Sequence, residues 1–138
     1  MDPFVAQVNL VFQIIVFCLF IVSLVVAKRK KLFLHGNTIF VALVLNTVSI
    51  FIVMVPSLLS LTQLVVEKPF NVVSMTILVH TGIGVVAEIL AVWLVASWGL
   101  RSSLKPCARR KKMMWVSTAF WLAALLLGIL LYLLLYII

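Results

Sequence analysis

FVAQVNLVFQIIVFCLFIVSLVVA, residues 4–27, followed at once by Lys28-Arg29-Lys30-Lys31, is the stretch that decides the fold. It exceeds the roughly 20 apolar residues a helix needs to cross the hydrocarbon core of a bilayer. The basic cluster stands after the apolar run and not before it, which reads as a stop-transfer anchor and not a cleaved leader. A charged turn that halts one crossing helix also orients it.

Working outward, three more stretches meet the same test: residues 32–59, 72–98 and 113–138. The first connection is the KRKK turn. The second is residues 60–71, with Pro69, and the third is residues 99–112, with Pro106. Composition points the same way. Of the 138 residues, 66% are hydrophobic and 10% charged, and mean hydropathy is +1.35. A soluble fold of this size cannot bury so much apolar surface, which excludes soluble enzymes and soluble nucleic-acid binders. Cys18 and Cys107 form no disulfide framework or metal-binding spacing. Cys107, in a basic loop, is a thiol whose surroundings favour the reactive thiolate, but no second cysteine stands near it.

The net charge of +8 would suggest nucleic acid in a soluble chain. Here topology accounts for it. Lys28, Arg29, Lys30 and Lys31 occupy the first loop; Arg101, Lys105, Arg109, Arg110, Lys111 and Lys112 occupy the third. The second loop has only Lys68. The positive-inside rule therefore places the first and third loops in the cytoplasm and both termini outside. Anionic lipid headgroups are the partners such loops attract, and no nucleic acid is needed to explain them. Aromatic residues fall where interfacial belts belong: Phe33, Trp98 and Trp115 at the inner face, Phe4, Phe70 and Tyr136 at the outer. Short connections predict an all-α, up-down-up-down four-helix bundle, N-out and C-out, forming a single transmembrane domain of the cell membrane. Small residues at four-residue spacing (Ala87/Ala91, Ala119/Ala123, Ala124/Gly128) supply close-packing faces.

Polar residues inside the bilayer are the functional candidates, because they are costly there. At about 1.5 Å per residue from the cytoplasmic ends, Glu88, Asn46 and Gln13 share a central layer about 15–21 Å deep. His80, Asn9, Tyr132 and Met54 lie about 27–31 Å deep, and His35 only about 3 Å. Glu88 is either protonated or held by donors such as the Asn46 and Gln13 amides. It reads as a proton-relay or substrate-contact carboxyl, or as glue between helices. His80 reads as a ligand to haem or copper with Met54 as a soft partner, or as a neutral ring bonded to Asn9 or Tyr132. His35, beside KRKK, reads as a solvated interfacial histidine, or as a headgroup contact.

Two histidines on neighbouring membrane helices invite a bis-histidine b-type haem. Their depths differ by about 24 Å, however, and axial ligands to one iron must share a depth. That leaves a His80–Met54 haem, or a ligand from a second copy, as the b561-like reading. No paired carboxylates, Ser/His/Asp set, CxxC or phosphate-binding glycine loop is present, so the expectation is a non-enzymatic protein. A small transporter or channel subunit built around Glu88, assembled as a homo-oligomer, is the remaining class.

The basic turn with its histidine (Lys28-Arg29-Lys30-Lys31…His35), His80, and the ending Arg109-Arg110-Lys111-Lys112…Trp121-x6-Gly128-x3-Tyr132-x2-Leu135-Tyr136 form a set. It resembles a small four-helix membrane family of unknown function that includes CtaM-type proteins, tied to maturation of haem–copper terminal oxidases. The resemblance covers helices 2 to 4. It implies a membrane accessory protein associated with a respiratory complex, with roles for His35 and His80. Two positions where that family carries further histidines read Val55-Pro56-Ser57 and Cys107-Ala108-Arg109-Arg110 here.

Overall fold

The computed structural model describes residues 2–98 and 111–138. Within them the chain is all-helical: α1 (Pro3–Lys28), α2 (Leu32–Ser49), a π-helical turn (Ile50–Met54), α3 (Val55–Glu67), α4 (Val72–Trp98) and α5 (Lys111–Tyr136). α2, the π turn and α3 form one rod, so four helices are long and apolar enough to span a membrane. The protein is a four-helix, multi-pass membrane protein.

Local chemistry sets the helix ends. Asp2 caps α1 by accepting the Phe4 backbone N–H at 3.1 Å, and Pro3 occupies the first turn, where its missing N–H costs nothing. At the other end Lys30 takes φ 61°, and the Lys30 and Lys31 amides donate back to the Ala27 and Val26 carbonyls. This is a Schellman-type ending with lysine in the left-handed position that glycine usually fills. It turns the chain within the KRKK cluster and sends α2 back along α1.

The second rod differs from the sequence-based expectation. Its helix continues past Leu59 to Glu67, through most of the expected loop. Nothing in residues 60–67 breaks a helix, and Gln63 donates to Glu67 at 2.9 Å across one turn. Pro69 sets the stop: Lys68, just before it, leaves helical geometry (φ −133°, ψ 64°). The resulting span of 35 residues is about 52 Å long, well over the thickness of a hydrocarbon core.

The π turn also has a local cause. Pro56 has no N–H to offer and its ring would strike the Ile52 carbonyl in a regular α-helix. The rod widens just before it, and the Val55 N–H donates to Ile50, five residues back.

Two antiparallel hairpins, α1 with α2 and α4 with α5, make the closest pairings; α2 against α4, α3 against α4 and α1 against α5 join them. In the half of the bundle nearer the basic end all four rods meet. Phe20 and Trp121 meet with ring centroids 4.8 Å apart and planes tilted by 34°, over Ala42, Leu43, Ala87 and Ala91. Ala87 and Ala91 are buried, as close-packing faces should be, whereas Ala119 is exposed. Phe33 and Trp115 are exposed at the basic end, and Phe4 and Phe70 at the opposite end. The exposed apolar side chains that line the outside of every rod are what a lipid-facing surface requires.

Candidate functional site

Above the Phe20–Trp121 layer the hairpins separate around a partly open cavity of about 440 Å³. All four rods contribute to its wall. Most of the lining is apolar. Its polar points are Asn9 and Gln13 from α1, Asn46 from α2, Ser57 from α3, His80, Thr81 and Glu88 from α4, and Tyr132 and Tyr136 from α5. Met54, from the π turn, lines it as well. Every intramembrane polar residue singled out from the sequence thus faces one space, and so do two of the three candidate cofactor ligands.

Glu88 sits on the cavity floor, one residue after the buried Ala87. Asn46 Nδ2 donates to Glu88 Oε2 at 2.7 Å, and the Thr47 hydroxyl bonds Oε1. Thr47 Oγ1 also lies 2.8 Å from the Leu43 carbonyl. A hydroxyl has one proton, so it serves one of these acceptors at a time. With that proton on Leu43, a carboxyl proton on Glu88 closes the same link. The network therefore accommodates the carboxyl with or without its proton. Gln13, the other expected donor, points elsewhere: its amide donates to Ser49 Oγ at 2.9 Å, which donates to Asn9 Oδ1 at 2.7 Å. Asn9 and Gln13, four residues apart on α1, present one face to this bond chain.

His80 is fixed from α5. Its Nδ1 donates to the Ala124 carbonyl at 2.9 Å, and not to Asn9 or Tyr132. Gly128 makes this approach possible, because a Cβ there would come within 3.2 Å of His80 Cε1. The bond fixes the proton on Nδ1, so in the neutral ring Nε2 is a lone-pair acceptor, with no hydrogen bond among the described residues. A ligating histidine is commonly held through its other nitrogen in this way, and Met54 shares the cavity, so this donor set is one that haem iron accepts. Among the described residues there is no group of three or more His, Cys, Asp or Glu side chains placed to hold a metal ion.

His35 is elsewhere. It is buried, not solvated, at the basic end of the α1–α2 hairpin. Ser23 Oγ donates to the His35 carbonyl at 3.1 Å, while His35 Nδ1 lies 2.9 Å from the Ser23 carbonyl and 2.7 Å from its hydroxyl. The tight turn brings these helices close enough for a fully buried serine to take the ring. His35 and His80 are not brought together. Lys28, Arg29, Lys30, Lys31, Lys111 and Lys112 are exposed at the same end of the bundle, free to meet headgroups. Arg101, Lys105, Cys107, Arg109 and Arg110 lie outside the described residues.

Sequence reasoning passed over Thr47, Ser49 and Ser23. A signal was available: Asn46 and Ser49, three apart, share the face of α2 that carries the recognised amide. Comparison with protein-family models, curated proteins and solved structures gave no match.

Proposed function

We propose that this chain is a non-enzymatic accessory protein of the cell membrane, N-out and C-out, acting in the assembly of a respiratory haem–copper oxidase. The observation that supports an accessory role is the cavity: two hairpins packed at one end and parted at the other leave a polar-studded space inside an otherwise apolar protein. Such a space suits holding a component for another protein. The specific partner rests on the resemblance of the KRKK…His35, His80 and Trp121…Tyr136 set to the CtaM-type family. Deleting the gene tests it. Membranes of the deletion strain should contain oxidase polypeptide but lose the reduced-minus-oxidised haem signal and oxidase activity, both restored by the intact gene. Unchanged activity and spectrum in the deletion strain refute the assembly role.

The second reading, a b-type haem electron carrier, is favoured by the Ala124-oriented His80 and the Met54 beside the same space. Purified protein with a Soret band that disappears in His80→Ala establishes it. Colourless protein, purified from haem-supplemented cells, excludes it.

A further inference from the structure

Two hydrogen-bond acceptors, one on His80 and one on Glu88, face the cavity from α4 and indicate what it takes. His80 Nε2 is an acceptor in the neutral ring, because the Ala124 carbonyl has already claimed the proton on Nδ1. Glu88 receives bonds from Asn46 and Thr47 and retains lone pairs on both oxygens. Two of the three amides on the wall are engaged as donors, Gln13 to Ser49 and Asn46 to Glu88. Two acceptors, His80 Nε2 and the Glu88 carboxyl, thus face a cavity whose wall also carries the Asn9 amide and the Thr81 and Tyr132 hydroxyls. Around them the wall is apolar, with Phe17, Ile50, Val53 and Leu125 among the lining residues.

We infer that the cavity is a binding site for a membrane-soluble amphiphile with a hydroxylated head, one that donates hydrogen bonds to His80 and Glu88. His80 and Glu88 are eight residues apart on α4, about 12 Å along its axis. A benzoquinol carries two such hydroxyls, and its oxidised quinone has none to donate to either acceptor. A hydroxylated glycerolipid offers the same donor chemistry from another source. The site stands apart from the assembly role: ligand binding to the purified protein does not depend on any oxidase.

Binding is measured on the full-length protein in lipid nanodiscs under anaerobic conditions, with three probes: decyl-benzoquinol, decyl-benzoquinone and a short-chain diacylglycerol. The quinol should bind saturably and at least about tenfold more tightly than the quinone. His80→Phe, which keeps an aromatic ring but removes the acceptor, should weaken quinol binding about tenfold and leave quinone binding unchanged. Gly84→Leu is the second variant. Gly84 lines the cavity and a Cβ there meets nothing within 4 Å, so a leucine enters open space and folding should survive. It should abolish saturable binding. If diacylglycerol binds more tightly than the quinol and is lost in both variants, the hydroxylated ligand is a glycerolipid. Quinone binding equal to quinol, binding unaffected by Gly84→Leu, or no saturable binding by either hydroxylated probe overturns the inference.

Discussion

The two halves of the bundle are built from the same apolar vocabulary and behave differently. Toward the basic end, aromatic rings meet alanines: Phe20 and Trp121 lie over Ala42, Ala87 and Ala91, all nearly inaccessible. Toward the opposite end, where the 35-residue rod passes through its π turn, the hairpins part, and amides, an imidazole and a carboxyl line the gap. In lipid, apolar side chains gain little by leaving the bilayer for each other, so helix association depends on close packing and hydrogen bonds. One half uses packing. The other uses polar bonds and keeps its space.

The comparison breaks most severely at Trp121. Removing that ring in Trp121→Ala takes away the Phe20 ring contact and the floor of the cavity together. Soluble cores lose about 3–5 kcal/mol for such a truncation, and because lipid competes for the exposed surface we expect about 3 kcal/mol here. Equilibrium unfolding in mixed detergent micelles measures it; a loss below about 1 kcal/mol would mean the halves are equally loose.

A matched pair of leucines tests the contrast directly. Ala42 has no accessible surface, so Ala42→Leu must displace neighbours, at a cost of about 1–3 kcal/mol. Gly84→Leu adds more atoms, yet it enters free space and replaces a poor helix former, so its cost should be under about 1 kcal/mol. Equal destabilisation of both variants would erase the distinction.

Much of this division was legible in the sequence, and the limits have physical causes. Residues 4–27 with KRKK fixed a crossing helix because a bilayer imposes length and polarity together. Depth counting placed Glu88, Asn46 and Gln13 in one layer because an α-helix rises uniformly. It did not give the bonding partners. Gln13 and Ser49 meet through the rotation of α1 against α2, which packing decides and hydropathy does not record. The end of the second rod was misjudged for a similar reason: Thr62 and Gln63 lower the hydropathy without breaking a helix. Pro56 carried the information for the π turn, but a proline in an apolar run indicates a distortion without saying which kind. The Ala124–His80 bond was hidden most completely, since its acceptor is a backbone carbonyl.

Within the packed half, hydrogen bonding has one large part to play. Ser23→Ala removes the hydroxyl that donates to the His35 carbonyl and lies against His35 Nδ1, although the Ser23 carbonyl still accepts from Nδ1. Losing one bond from a buried pair costs about 1–2 kcal/mol. Hydrogen–deuterium exchange should show faster exchange near the KRKK turn, with the cavity-lining segments unchanged. Faster exchange throughout would mean that the two ends are coupled and the contrast is only geometric.

Glu88 lies where the halves meet, and the smallest effect is expected there. Glu88→Gln keeps the shape and leaves an amide oxygen to accept from Asn46 or Thr47, so one link of two survives. Interhelical polar bonds in membrane proteins average about 0.6 kcal/mol, and the variant should lose about that much. A double-mutant cycle with Asn46→Ala separates the bond from the carboxyl itself: a coupling of about 0.6 kcal/mol assigns Asn46 as the partner that Glu88 relies on. No coupling, with the full loss in Glu88→Gln alone, would move the carboxyl's role from joining α2 to α4 to the chemistry of the cavity.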